Sequence, residues 1–67
     1  MLNTIMINRP ERAWVDHVKH VVSDTERHTL HLIESGEFAT DSKSYRTIYD
    51  INQRSHDILS AIRTYYP

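Results

Sequence analysis

The sequence predicts an all-α fold, an antiparallel helical hairpin of two long helices, about 10–35 and 41–66, associating as a homodimeric four-helix bundle. Three observations predict it. Breakers are confined to Pro10, Gly36 and Pro67 in a chain of 67 residues, whereas a β-rich chain of this size needs several turns, and turns favour Gly, Pro, Asn and Asp. Apolar residues recur at helical spacing on each side of Gly36. The chain contains no cysteine, so it has neither disulfides nor thiolate metal ligands. A domain this short buries only about 60% of the surface its unfolded chain exposes. Metal or self-association are then the available staples.

Residues 1–9 are expected to form an N-terminal arm ahead of a hairpin domain at 10–67. The arm carries Leu2, Ile5, Met6 and Ile7 without a helical cap, and is expected either to stay flexible or to pack over the bundle end. Pro10 suits the first turn of a helix, where its missing N–H is not needed. Asn8 is the better capping side chain and Arg9 the alternative.

The first helix presents a seam of Trp14, Val18, Val21, Thr25, His28 and Leu32, stepping by four and three, and Val15, Val22, Thr29 and Ile33 widen it. Ser23-Asp-Thr-Glu26 matches a capping box and offers a second start. The seam nevertheless keeps its phase there, with no Gly or Pro nearby, which favours one continuous helix. Gly36 supplies the left-handed stop.

A connection of about five residues, 36–40, joins antiparallel neighbours. Phe38 is placed to plug the turn. Thr40, Asp41 and Ser42 are all good caps for the second helix. Its seam is Ile48, Ile51, Ser55, Ile58 or Leu59, Ile62 and Tyr66, bordered by Tyr45, Asn52 and Tyr65. Antiparallel pairing of two nearly equal arms brings Trp14 near Tyr65 and Tyr66, and Thr25 opposite Ser55. Opposite charges four residues apart, Arg12–Asp16, Arg46–Asp50 and Asp50–Arg54, add roughly 0.2–0.5 kcal/mol each to an isolated helix.

The apolar arcs span about 120° and about 100°, wider than a strict two-stranded seam and suited to four helices. A two-fold homodimer is the simplest route to four. The layout resembles that of the small plasmid-type RNA-binding helical-hairpin dimers, without a shared motif.

Five histidines are present, and four of them, His17, His20, His28 and His31, share a stripe with Asp24 beside the apolar seam. Two readings give that stripe a function. Imidazole and carboxylate at helical spacing are competent ligands for Zn²⁺ or Ni²⁺. One helix offers too few ligands, so a metal site would need a second chain or His56. Alternatively the stripe senses pH at an interface, since histidine changes charge between about pH 5 and 8. The plainer expectation is boundary packing, with Asp24 paired to His20, Arg27 or His28. No cofactor is called for.

Catalysis is not expected. Ser55, His56 and Asp57 are consecutive, and successive helical residues point about 100° apart, so they cannot form a triad. A single glycine excludes a glycine-rich phosphate loop. A net charge of -1 gives no general attraction for nucleic acid. No apolar run of about 18 residues could span a membrane, and residues 1–8 lack the basic start of a signal peptide, so a cytoplasmic location is expected. The sequence therefore points to a small non-enzymatic protein-interaction or regulatory module, a homodimer that binds a larger protein, of the kind encoded by phages and plasmids. The alternative is a nucleic-acid-binding hairpin dimer. It would use Arg9, Arg12 and Arg63 at the open end, with Lys43, Arg46 and Arg54 on the outer face of the second helix.

Overall fold

The computed structural model describes the backbone of residues 2–67 and the side chains from Arg12 onward. Two helices account for the fold: α1, Leu2–Ser35, and α2, Lys43–Tyr65. They pack on each other as an antiparallel hairpin. The α1 helix is continuous through Ser23–Glu26, so the capping-box sequence starts no new helix.

The start of α1 corrects the expected boundary at Pro10. The helix begins at Leu2 and runs through the proline. Residues 2–9 contain no glycine or proline that would stop the helix upstream of Pro10. An interior proline still removes one i→i−4 bond, at a cost of about 3 kcal/mol. The arms are consequently unequal, 34 residues against 23. The side chains of residues 1–11, and with them the packing of the proposed arm, lie outside the described residues.

Gly36 ends α1 with φ +73°, the left-handed conformation that a residue without Cβ adopts at no steric cost. The connection is longer than expected. A turn closed by the Ser42 N–H on the Ala39 carbonyl, at 2.9 Å, delays the second helix to Lys43. Ser42 is then the cap, its Oγ accepting from the Tyr45 N–H at 3.0 Å. Phe38 is half-buried at this end. At the far end, Tyr66 N–H donates to the Ile62 carbonyl and closes α2.

The register is set by cross-helix pairs along the whole hairpin: Trp14 with Tyr66, Thr29 with Asn52, and Glu26 with His56. Trp14 and Tyr66 meet edge to face with ring centroids 5.8 Å apart, an arrangement favoured by the ring quadrupoles. Counting from these pairs places Thr25 level with Ser55. Their hydroxyls do not join each other. Each donates within its own helix, Thr25 to Val21 O and Ser55 to Ile51 O.

The core is small. Among the described residues, Val15, Leu59 and Ile62 are the buried apolar side chains, with Thr29 and Ser55 buried beside them. This corrects the phase of the expected seam within one hairpin. In α1 the line facing α2 is Val15, Val22 and Thr29, flanked by Val18, Thr25 and Leu32, while Trp14, Val21 and His28 are exposed. In α2 it is Tyr45, Ile48, Asn52, Ser55, Leu59, Ile62 and Tyr66, while Ile51, Ile58 and Tyr65 are exposed. The cause is arc width: a stripe broad enough for two neighbours can turn only one edge toward a single partner.

Candidate functional site: an open apolar edge and a closed polar edge

The two long edges of the hairpin differ in chemistry. On one, α1 contributes Trp14, Val21 and His28, spaced by sevens, and α2 contributes Ile51, Ile58 and Tyr65, also spaced by sevens. All six are exposed: Trp14 by 47%, Val21 by 47%, Ile58 by 44% and Tyr65 by 77%. Two seven-residue steps turn a straight helix by only about 40°, so each set forms a nearly straight row. The rows converge at the open end, where Trp14, Val18, Ile58, Ala61, Ile62, Tyr65 and Tyr66 line a shallow apolar groove.

The opposite edge is closed by polar contacts that the sequence reading missed. The Asn52 amide of α2 donates to the Glu26 carbonyl and to the Thr29 hydroxyl of α1, both at 3.0 Å. One helical turn on, the His56 Nδ1 lies 3.1 Å from Glu26 Oε2. Thr29 in turn donates to the carbonyls of Thr25 and Glu26. No buried side-chain nitrogen or oxygen among the described residues lacks a partner, while Leu30, four residues from Glu26, and Tyr49, seven from His56, stay exposed on this side. The available signal was a seven-residue recurrence, Val15–Val22–Thr29 in α1 and Tyr45–Asn52–Leu59–Tyr66 in α2. Hydropathy overlooks it because both lines pass through polar residues.

The histidine stripe borders the open edge. His17, His20, His28 and His31 are all exposed. Asp24 pairs with Arg27 and with His20, the latter at 3.5 Å. A surface depression beside it is lined by Asp24, Arg27, His28 and His31. Among the described residues, no three His, Asp or Glu side chains of one chain are grouped to hold a metal ion. His56 cannot supply the missing ligand, because it sits against Glu26 on the closed edge.

The remaining candidates diverge. Ser55 is buried against its own helix, His56 reaches across to Glu26, and Asp57 is exposed. Of the basic residues, Arg12, Lys43, Arg46, Arg54 and Arg63 are exposed, and the Arg9 side chain lies outside the described residues. Arg54 is engaged by Asp50 at 2.7 Å. The hydrogen bond to that carboxylate, then its charge, holds the guanidinium protonated even more firmly than usual. With Asp50 taken, Arg46 turns back toward the Asp41 carbonyl. Asp50–Arg54 is thus the expected i,i+4 pair that forms among the described residues. No described helix is long and apolar enough to cross a membrane. No protein-family model, curated protein or solved structure matches this chain.

Proposed function

We propose that the protein is a non-enzymatic interaction module that works as a homodimer, two hairpins joining along their open edges into a four-helix bundle. The observation that carries this reading is the contrast between the edges. One is bridged by Asn52, Glu26, Thr29 and His56 and leaves Leu30 and Tyr49 exposed beside the bridge, while the other leaves the longer row of Trp14, Val21, Ile51, Ile58 and Tyr65 exposed in register. Among the described residues, three buried apolar side chains are a thin core for a helical hairpin. Removing the exposed rows from water contributes about 25 cal/mol per Å² of apolar surface.

A second copy is the occupant this pattern supports, since a two-fold interface pairs one patch with itself and both exposed rows are largely apolar. Among the described residues, the rows of Trp14, Val21 and His28 and of Ile51, Ile58 and Tyr65 contain no carboxylate and no lysine or arginine, and Asp24 and Arg54 stand at their border. The assembled bundle then offers its outer faces, with Tyr49 and mixed charges, to a larger protein partner in a regulatory role of the phage or plasmid accessory type. In solution, light scattering coupled to size exclusion is expected to give twice the chain mass. A monomer at every concentration would refute the reading. Nucleic acid is the rival ligand, through Arg12, Lys43, Arg46 and Arg63. A gel shift that survives moderate salt would favour it, since phosphate contacts weaken steeply as salt rises.

A further inference from the structure

The histidine stripe has a symmetry that a single chain does not use. His20 and His28 lie four residues to either side of Asp24, and His17 and His31 lie seven to either side. The stripe therefore reads the same in both directions along α1. Two copies of such a stripe come into register when two α1 helices run antiparallel about a two-fold axis at Asp24. Each His20 then lies level with the other copy's His28, and each His17 with the other copy's His31.

The position of the stripe on the hairpin suits that pairing. His28 continues the exposed row of Trp14 and Val21, and Asp24 and His20 follow it around the helix, away from α2. If hairpins stack with α1 on α1, both stripes border the same outer groove. Within one chain, His20 and Asp24 already approach to 3.5 Å, but His28 is two full turns from His20, about 12 Å along the axis. One chain cannot bring both imidazoles to one ion, in agreement with the absence of a three-ligand group among the described residues. The fold also bars His56, which is held on the other edge. Among the described residues no further group of the same chain completes the set, whereas a second copy does.

We infer that the dimer binds Zn²⁺ or Ni²⁺ at two equivalent sites, each built from His20 and Asp24 of one copy and His28 of the other, with α1 antiparallel to α1. The inference rests on the homodimer proposed above. Two imidazoles and a carboxylate form a borderline ligand set suited to these ions, with water filling the remaining position. Near the axis the two Asp24 carboxylates approach each other, and a divalent cation on each side relieves that repulsion. Asp24 exchanges its exposed pairing with Arg27 for the ion, a small loss because exposed ion pairs contribute little.

Sedimentation equilibrium with and without ZnCl₂, combined with metal titration of the full chain, tests this. The wild type is expected to bind two Zn²⁺ per dimer, with dimerisation tightened at least about tenfold by linkage. His20→Gln and His28→Gln should each lose that response. In an equimolar mixture of the two variants, the mixed dimers should regain it with one Zn²⁺ each, half the wild-type stoichiometry. In the mixed dimer one site keeps both imidazoles and the other loses both. His56→Gln should respond like the wild type. A wild-type dimer indifferent to zinc, or a mixture that fails to recover, overturns the metal site and leaves the homodimer standing. A chain monomeric both with and without zinc overturns both. A chain dimeric only with zinc supports the shared site and contradicts self-association by the apolar edge alone.

Discussion

The Asn52 side-chain amide bridges the hairpin to the Thr29 hydroxyl, 3.0 Å away, and shares its protons with the Glu26 carbonyl. This is a polar bond in the middle of the helix–helix contact, between a buried residue and a half-buried one. Replacing Asn52 with alanine removes both donations. It also deprives a buried hydroxyl and a backbone carbonyl of part of their bonding. The expected cost is about 1–2 kcal/mol in unfolding free energy, measured by urea denaturation. Because this contact lies on the closed edge, the dimer mass at native concentration should be unchanged.

Ser55 is buried at 5% exposure, its hydroxyl satisfied by the Ile51 carbonyl of its own helix. Its use is its small size. Ser55→Ala should alter stability by no more than about 0.5 kcal/mol, since the bond lost is local and alanine is the better helix former. Ser55→Leu should cost about 1–3 kcal/mol by overpacking the contact. If alanine proves as damaging as leucine, the hydroxyl has a role that these contacts do not contain.

Both ends of the connection should respond to single changes. Gly36→Ala meets no atom within 4 Å of the added Cβ, so its effect comes from the backbone at φ +73°, at about 1 kcal/mol. Ser42→Ala removes the cap on the Tyr45 N–H and should also cost about 1 kcal/mol. Thermal unfolding followed by circular dichroism checks both.

Leu59 is, with Val15 and Ile62, one of the buried apolar side chains among the described residues. Leu59→Ala is expected to cost about 2–5 kcal/mol. Set against the 5–15 kcal/mol total of an ordinary domain, that loss should leave a large unfolded fraction at 37 °C. A fully folded Leu59→Ala variant would show that the hairpin draws its stability from elsewhere.

These residues also show what the sequence makes legible. The two helices and the stop at Gly36 follow from breaker placement, and the cap is narrowed to Thr40, Asp41 or Ser42, because glycine and capping chemistry act locally; the turn that selects Ser42 is not legible. The pairing of Trp14 with Tyr66 follows from antiparallel counting. The contact phase does not, because the arcs are wider than one neighbour and the lines that actually meet include Thr29, Asn52 and Ser55. Hydropathy favours Trp14, Val21, Ile51 and Ile58, and these are the residues left outside. The Glu26–His56 and Asn52–Thr29 contacts depend on tertiary register, which no local rule contains. The start of α1 at Leu2 is not legible, because Pro10 marks a first turn by local preference and does not forbid a helix that begins before it.

In the proposed assembly the open edge joins two copies while each hairpin folds on its own closed contacts. Sedimentation equilibrium of the wild type and of Ile58→Glu, over a wide concentration range with helicity monitored in parallel, tests it most directly. Ile58 is exposed on the open edge and makes no part of the buried core. The wild type should sediment as a dimer, and Ile58→Glu as a monomer that retains its helical signal. A wild-type monomer, or an Ile58→Glu variant that dimerises as tightly as the wild type, would contradict the account.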